Sequence, residues 1–357
     1  MNTCGSIIAC IWDFDKTLIR GYMQAPLFRE YGIDESLFWE EVDGLPSKLR
    51  KKGIHLSETL SYLNCVLKLV RMGRLPGLSK EKLMRYGQQL TFFPGIPEFF
   101  SILKEDIENH ESYRSKGITL EHYVVSSGHC ETIRGSKIAP WVEDIFASEF
   151  LGNEIGEEAK NFLEKMAKKR MAIEKGEDFF GDSDRPEVAE NRDQILLQGI
   201  GDRSEEEPEK EREIEQIACA VDNTQKTRYL FEINKGSNKN SAISVNAKVR
   251  NCDRRIPFEN MIYIADGPSD IPAFAVIRER GGKAFAVYDP SNEREFEQND
   301  RMLAEERIDA YGPTDYRPDS PTAKWIRMHV QKIAKRIFEE REQLTEKRVG
   351  KLPEHLY

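Results

Sequence analysis

The feature that most limits the fold of this 357-residue chain is a short apolar run that ends in two carboxylates. Residues 7–20 read IIACIWDFDKTLIR. The first six residues are too few, and lack the spacing, for an amphipathic helix, so they predict a fully buried strand. Asp13 and Asp15 follow, and residues two apart in an extended chain point to the same side. Both carboxylates are therefore expected in a crevice beyond the carboxyl end of the strand, where open α/β sheets bind ligands.

Thr17 completes a DxDxT pattern with the two acids. We interpret Asp13, Asp15 and Thr17 as a reaction centre, because a buried strand has no structural need to end in two charges. The alternative is a strand that ends in an acidic turn, since a pattern this short also occurs by chance. The rest of the chain has to decide between these two interpretations.

Short apolar runs recur along the chain and are separated by segments with helical spacing. They are His122 to Val125, Ile145 to Ala147, Met261 to Ala265 and Lys283 to Tyr288. Strands that alternate with helices are typical of an α/β fold with a parallel sheet. We therefore predict an α/β protein whose parallel sheet is flanked by helices.

Two of these later strands also end in polar residues. The run at 122–125 leads into Ser126, Ser127 and Gly128, and the run at 261–265 leads into the sequence Asp266-Gly267-Pro268-Ser269-Asp270. Between them, Asp222, Asn223 or Thr224 can cap a helix that contains Lys226 and ends at Gly236. Carboxylates, small hydroxyls and a lysine are thus expected at neighbouring strand and helix ends.

The charge of the chain is concentrated in one segment. Residues 152–216 contain 20 acidic and 11 basic residues, a net charge of −9, which equals the net charge of the whole chain. We interpret this segment as an exposed charged insert with a helix at about 159–175 and a solvated run at 204–215. An acidic surface that binds a partner is the alternative interpretation.

The composition argues against a general binder of nucleic acid or of anionic membranes and favours a cytoplasmic protein. Those two classes of binder need a basic surface, whereas this chain has a pI of about 5.5. No apolar run approaches the roughly 18 residues of a membrane span, and the first residues lack the pattern of a signal peptide. The six cysteines form no metal-ligand spacing and are expected to be reduced.

The length allows one large domain or two domains of ordinary size. Residues 21–90 have helical spacing throughout and predict a helical domain. Residues 1–20 and 91–357 would form the α/β core. Ser320 and Pro321 begin a long amphipathic helix whose residues Trp325, Met328, Ile333 and Ile337 are expected to pack on this core, or else to form a homodimer interface.

In their order along the chain, DFDKT, VVSSG, a lysine at a helix start and ADGPSD resemble the four motifs of the haloacid-dehalogenase-like superfamily. The resemblance is to its phosphoserine-phosphatase-like branch and covers residues 1–20, 92–150 and 217–290. It implies a Rossmann-like core with a parallel sheet and an inserted type-1 helical cap, here 21–90. It also implies a Mg²⁺-dependent phosphatase that hydrolyses a small phosphorylated metabolite through an aspartyl-phosphate.

The resemblance and the chemistry of phosphate monoesters together predict a role for each residue. Asp13 would be the nucleophile and Asp15 the general acid and base. Asp13, Asp266 and the backbone carbonyl of Asp15 would bind Mg²⁺. The remaining predicted site residues would bind the phosphate (Ser126, Ser127, Gly128, Lys226) or support the site (Thr17, Asp270).

Some alternatives stay open at this point. Lys235 and Lys239 compete with Lys226 for the role of the active-site lysine, although neither opens a helix. A phosphotransferase or mutase of the same superfamily would use the same pair of acids. A non-catalytic protein that kept the fold would instead use the acidic insert at 152–216 as its binding surface.

Overall fold

The computed structural model describes residues 5–174 and 212–349, and a seven-stranded sheet runs through its centre. The strands are β1 (Ile7–Trp12), β2 (Thr119–His129), β3 (Asp144–Leu151), β4 (Gln216–Cys219), β5 (Met261–Ala265), β6 (Lys283–Tyr288) and β7 (Ala310–Pro313). Their order across the sheet is β4-β3-β2-β1-β5-β6-β7. Every neighbouring pair is parallel except β3 and β4, which are antiparallel.

The first strand lies in the middle of the sheet, between β2 and β5. Ile11 stands opposite Tyr123 on one side and Tyr263 on the other. Because these three strands run in the same direction, their carboxyl ends meet at one edge of the sheet. The predicted fold class, an α/β core with a parallel sheet flanked by helices, is confirmed.

Helices cover the sheet and fill the interval between the first two strands. Those of the described residues are α1 (Ala25–Tyr31), α2 (Glu35–Arg50), α3 (Glu58–Arg71), α4 (Lys80–Gly87), α5 (Glu98–Glu108), α6 (Glu111–Ser115), α7 (Cys130–Arg134), α8 (Glu154–Glu174), α9 (Asn223–Lys235), α10 (Ile271–Glu279), α11 (Glu293–Ala304) and α12 (Pro321–Val349). None of them combines the length and the apolar composition that a membrane span requires. Four of these helices, α1 to α4, lie within 25–87.

The central strand is buried on both faces. Ile8, Cys10 and Trp12 belong to one apolar cluster, and the alternate residues of β1 belong to the cluster on the opposite face. The Trp12 indole packs against Phe100 with ring centres 5.0 Å apart, and its Nε1 donates a hydrogen bond to His122 Nδ1 at 3.1 Å. Helices on both faces of the sheet therefore hold the acidic strand end in one position.

The four helices α1 to α4 have an apolar cluster of their own. Leu63 and Val66 of α3 are buried in it, together with Phe150 of β3 and Ile214. The side chain of Ser57 accepts a hydrogen bond from the backbone N–H of Leu60 at 3.3 Å and caps α3. These helices are thus anchored to one end of the sheet through β3.

The structure differs from the sequence-based expectations at several boundaries. Strand β2 extends to His129 instead of ending at Val125, so Ser126 to Gly128 lie within the strand. Strand β7 and helix α11 were not predicted, and β4 pairs antiparallel to β3. Hydroxyl-bearing and glycine residues signal loops in a sequence, and in β2 they form an irregular stretch between the paired residues Val125 and His129.

The charged insert is described at its two ends only. The predicted helix at 159–175 is confirmed within α8, while residues 175–211 lie outside the described residues. The expectation of a solvated run at 204–215 is wrong at its end, because Ile214 is fully buried against α1 to α4. Its backbone N–H donates to Leu78 O at 2.9 Å.

The long C-terminal helix packs on its own chain. Ile333 and Ile337 are buried in the core, and Trp325 is partly buried there. Met328, which the sequence places on the packing face, is instead 40% exposed. A bidentate ion pair joins Arg327 to Asp106 of α5.

Candidate active site

Three carboxylates meet at the edge where β1 and β5 end. Asp13 follows β1, Asp266 follows β5, and Asp270 ends a short 3₁₀ helix, Pro268–Asp270. Each offers one oxygen, and these three oxygens all lie within 4.8 Å of one another. The backbone N–H of Asp13 donates to Ile264 O at 2.9 Å, so pairing of the two strands continues into the site.

Lys226 joins two of these acids. Its Nζ donates to Asp13 Oδ1 at 3.0 Å and to Asp270 Oδ1 at 2.8 Å, and its side chain is almost fully buried. Burial opposes the charge of Lys226, yet the two carboxylates raise its pKa above the ordinary value. The side chain of Asp222 caps α9 by accepting from the N–H groups of Thr224 and Gln225, which fixes the first turn that carries the lysine.

The two other candidate lysines, Lys235 and Lys239, bind groups outside the site. Lys235 Nζ donates to the backbone oxygens of Val245 and Ala247. Lys239 forms an ion pair with Glu143 at 2.8 Å. Among the three candidates, Lys226 alone contacts the carboxylates at the strand ends.

Asp15 lies beside Asp13 in a different electrostatic environment. Its Oδ1 accepts a hydrogen bond from the backbone N–H of Met23 at 2.9 Å. Burial, with the neighbouring Asp13 charge, raises the pKa of Asp15 to about 8. Burial also raises the pKa of Asp13, to about 6, with Lys226 opposing the shift. At neutral pH the arrangement favours an ionised Asp13 next to a protonated Asp15.

The end of β2 brings small residues up to the acids. Ser126 is buried, and its Oγ accepts from the backbone N–H of Gly128 at 3.1 Å. The backbone oxygen of Ser127 accepts hydrogen bonds from the hydroxyls of Tyr62 at 2.5 Å and Ser148 at 2.9 Å. This part of β2 is therefore held both by the sheet and by helix α3.

Gly128 is closely surrounded. A Cβ at this position would lie 2.1 Å from Met23 Cε and 3.4 Å from Asp15 Oδ2. Only a residue without a side chain fits here unless Met23 moves. The backbone of β2 can consequently come close to the Asp15 carboxylate.

Thr17 and Asp270 lie behind the reacting groups. Thr17 is buried, its Oγ1 has no hydrogen-bond partner among the described residues, and its backbone oxygen accepts from the Tyr316 hydroxyl at 2.7 Å. Asp270 accepts from Tyr263 at 2.6 Å and from Ser269 at 2.8 Å, in addition to Lys226. These hydrogen bonds hold the Asp270 carboxylate in a single orientation.

A cavity of about 260 Å³ opens over this edge of the sheet. It brings together the predicted residues Asp13, Asp15, Ser126, Ser127, Gly128, Lys226 and Asp266. Thr17 and Asp270 do not line it. The opposite side of the cavity is formed by the segment before α1 and by helices α2 and α3.

Sequence reasoning missed two groups of residues in this site. Tyr263 lies inside β5, where its only signal is a polar tip in an otherwise apolar strand. Trp39 and Asp43 of α2, and Glu58 and Tyr62 of α3, line the cavity from the helices. The two residues on each helix are four positions apart, so they lie on the same face of that helix. This spacing does not tell which face of the helix meets the site.

Comparison with known proteins gives one relative over nearly the whole length. No protein-family model matches the chain. It is 32% identical over 330 residues to an uncharacterized protein of Borreliella burgdorferi, and the match spans 91% of this chain and 97% of that protein.

Two solved structures found by comparison share little sequence with this chain. A HAD family hydrolase from Salmonella enterica serovar Typhi is 14% identical with a TM-score of 0.43, and the match covers 86% of this chain and 67% of that one. A phosphoserine phosphatase, solved as a phospho-aspartyl intermediate analogue, is 16% identical with a TM-score of 0.40, and the match covers 86% and 93%.

The order of the motifs and the sheet that carries them agree with the resemblance. DFDKT follows the central strand β1, ADGPSD follows its neighbour β5, and the serines end its other neighbour β2. The strand order places the motifs as the resemblance to the haloacid-dehalogenase-like superfamily implies, and the chain belongs to the same family as the uncharacterized Borreliella burgdorferi protein.

Proposed function

We propose that this protein is a Mg²⁺-dependent phosphatase that hydrolyses a small phosphomonoester through an aspartyl-phosphate. The observation that carries the proposal is the cluster of Asp13, Asp266 and Asp270, with Lys226 bonded to two of them at 3.0 and 2.8 Å. A phosphate monoester is a dianion, so a carboxylate can approach its phosphorus only where positive charge compensates the repulsion. This site supplies a buried ammonium group and an oxygen-rich setting for a divalent cation.

The donor set fits magnesium. Carboxylate and carbonyl oxygens are the ligands that Mg²⁺ prefers, and three carboxylates here come within 4.8 Å of one another. Asp13, Asp266 and the backbone carbonyl of Asp15 would hold the ion. Asp270 already accepts three hydrogen bonds, which favours a role in orienting Lys226. The bound ion would offset the negative charge of the phosphoryl oxygens.

In the first step, a carboxylate oxygen of Asp13 attacks the phosphorus, and the bond from phosphorus to the ester oxygen breaks. Protonated Asp15 gives its proton to the departing oxygen, so the alcohol leaves neutral. The raised pKa of about 8 keeps that proton on Asp15 at neutral pH. The products of this step are the free alcohol and phosphorylated Asp13.

In the second step, water hydrolyses the aspartyl-phosphate. Asp15, now ionised, takes a proton from the water as its oxygen attacks phosphorus, and the bond between phosphorus and Asp13 breaks. Phosphate leaves, and both acids return to their starting protonation states. Ser126, the backbone N–H groups near Gly128, and Lys226 would hold the phosphoryl oxygens through both steps.

Helices α1 to α4 would act as the cap over this chemistry. Tyr62 donates to the backbone of Ser127, and the Thr59 hydroxyl donates to Val221 O at 3.2 Å. Both hydrogen bonds join α3 to the edge of the sheet that carries the site. In this closed arrangement the cap would exclude bulk water from the reacting phosphate.

The test measures release of inorganic phosphate from a panel of small phosphomonoesters, with Mg²⁺ or with EDTA, for wild type and Asp13→Asn. We expect turnover with Mg²⁺ only, and none in the variant. Asp319→Asn is the matched control, because the Asp319 side chain is fully exposed on the surface.

Equal turnover by wild type and Asp13→Asn would remove Asp13 as nucleophile. Phosphate that appears only when an acceptor alcohol is added would identify a phosphotransferase. A protein that turns over no phosphomonoester under any of these conditions would be a binding protein that retains the fold.

A further inference from the structure

The cavity has a second wall opposite the catalytic edge, and its chemistry is different. We call it the helical wall; it is formed by Tyr22, Gln24, Trp39, Asp43, Glu58 and Tyr62, with small contributions from their neighbours. In the proposed reaction the phosphate faces the sheet edge, so the alcohol part of the substrate faces the helical wall. The residues of this wall therefore help to determine which phosphomonoesters are substrates.

The helical wall is negatively charged. Asp43 and Glu58 are its charged side chains, and no lysine or arginine of this wall lines the cavity. Within the part of the chain that the structure describes, neither carboxylate forms an ion pair. The two lysines that line the cavity have acidic neighbours of their own: Lys226 is bonded to Asp13, and Lys16 is near Asp266.

This charge is not cancelled by the groups that the reaction needs. A phosphate dianion and a divalent cation neutralise each other. With Asp15 protonated, four ionised carboxylates and two ammonium groups line the cavity, so two negative charges are in excess. The alcohol part of the substrate therefore experiences the uncompensated negative charge of the cavity. A second carboxylate or phosphate on that alcohol would be repelled, and a positive charge would be attracted.

Aromatic rings line the same wall. The centre of the Trp39 ring is 5.1 Å from that of the Tyr22 ring and 5.9 Å from that of the Tyr62 ring. The faces of such rings attract cations because of their quadrupole. The chain itself uses this property, since Lys16 Nζ lies 4.7 Å from the centre of the Tyr22 ring.

The helical wall also contains a side-chain carbonyl oxygen that accepts no hydrogen bond within the described part of the chain. Gln24 is 3% exposed, and its Oε1 accepts no hydrogen bond from any described residue. A buried carbonyl oxygen without a donor costs free energy, which a ligand that brings N–H groups can recover. Asp43 and Glu58 are open to the cavity, whereas Gln24 Oε1 is enclosed and would have to turn toward the ligand to accept from a primary ammonium group.

We infer that the substrate is the phosphomonoester of a small cationic amino alcohol, whose positive charge lies against Asp43, Glu58 and the ring of Trp39. This inference rests on the proposed phosphatase function and adds the chemical class of the leaving group. Phosphocholine and phosphoethanolamine both belong to this class, and they separate a quaternary from a primary ammonium group.

The test compares substrates of matched shape. Phosphocholine is set against 3,3-dimethylbutyl phosphate, which replaces the charged nitrogen by carbon, and phosphoethanolamine is set against glycerol 3-phosphate and 3-phosphoglycerate. We expect kcat/KM to be about tenfold or more higher for at least one of the two amines than for its neutral partner. The anionic 3-phosphoglycerate should be the poorest of the five. A preference for the carbon isostere or for 3-phosphoglycerate would overturn the inference and leave the phosphatase intact.

Variants connect the preference to the wall. In Asp43→Asn/Glu58→Gln, the preference for amine over neutral substrate should fall by about tenfold. The control is Glu40→Gln/Glu41→Gln, which removes two acids from the same helix α2 that do not line the cavity, and it should keep the wild-type preference. An unchanged preference in the first variant would overturn the inference. If none of the substrates, nor p-nitrophenyl phosphate, is turned over, the proposed phosphatase itself fails.

Discussion

The two walls of the cavity are built by different means. On the sheet side, backbone pairing sets the positions: the N–H of Asp13 donates to Ile264 O, one residue beyond the end of β1. On the helical side, side-chain packing sets them, with hydrogen bonds from Thr59 and Tyr62 to the sheet edge. Changes on the sheet side should therefore affect every substrate, and changes on the helical side should depend on the substrate.

After the loss of all turnover expected for Asp13→Asn, the largest expected effect belongs to Asp15→Asn on the sheet side. Phosphate release from alkyl phosphates should fall by about 10²–10⁴-fold, because the leaving alkoxide then lacks a proton donor. p-Nitrophenyl phosphate should be less affected, since nitrophenolate leaves without a proton. The measurement compares both substrate types by phosphate release, and Asp319→Asn should resemble wild type. Equal losses for the two types would contradict the assignment of Asp15 as the acid.

Gly128→Ala tests the close approach of β2 to the acids. The added Cβ would meet Met23 Cε at 2.1 Å and displace it, at a cost of about 1–3 kcal/mol in the free energy of unfolding. We expect activity to fall for all substrates alike, because the displacement occurs beside Asp15. Chemical denaturation and turnover are measured on the same preparation.

The control for this glycine is Gly44→Ala inside α2, where the nearest atom to a new Cβ is Lys48 Cε at 3.5 Å. That variant should be as stable as wild type or more so. A Gly128→Ala protein with unchanged turnover would show that the β2 backbone does not need this close approach.

The pH dependence should report Asp15 on the sheet side. Activity needs protonated Asp15, whose pKa is raised to about 8 by burial and by the neighbouring Asp13 charge. With Mg²⁺ bound, kcat/KM should therefore fall through that value, by about tenfold per pH unit above it. In Asp15→Asn the alkaline fall should disappear. A fall that persists in this variant would assign it to another group.

Tyr62→Phe gives the smallest effect and tests the junction of the two walls. It removes the hydrogen bond from α3 to the backbone oxygen of Ser127, which still accepts from Ser148. A loss of about 1 kcal/mol, or about fivefold in kcat/KM, is expected. Tyr31→Phe is the control, because its hydroxyl bonds to Pro76 O within the helices. Equal effects of both variants would mean that Tyr62 stabilises only the helices.

The sheet side of the site could be predicted because strand geometry is local. The bounds of β5 and β6 match the apolar runs, and the i, i+2 rule alone aims Asp13 and Asp15 into one crevice. The sequence also placed Lys226 at a helix start, which the structure brings against Asp13. On this side, Tyr263, which donates to Asp270 from inside β5, goes beyond that expectation.

The remaining parts depend on long-range packing. Helix α11 buries little more than Asn299 and Met302, so few apolar positions in its charged sequence mark the face that packs on the sheet. Strand β7 contains Gly312 and Pro313, which disfavour strands in isolation and are accepted at a sheet edge. The residues of the helical wall could not be found, because helical spacing does not identify the partner of a face.

The segment just before β4 affects how the helices above the cavity can move. Residues 213–215 bond to both sides: Arg71 donates to Glu215 O, and the Glu215 N–H donates to Leu151 O of β3. With the two linkers near Arg20 and Thr91, this segment makes a third attachment between helices and sheet. If helices α1 to α4 were joined to the sheet only by these two adjacent linkers, they could rotate about them as a hinge. The third attachment restricts that rotation to a small angle. Substrates would then enter through a narrow opening, which sets an upper limit on their size independently of their charge.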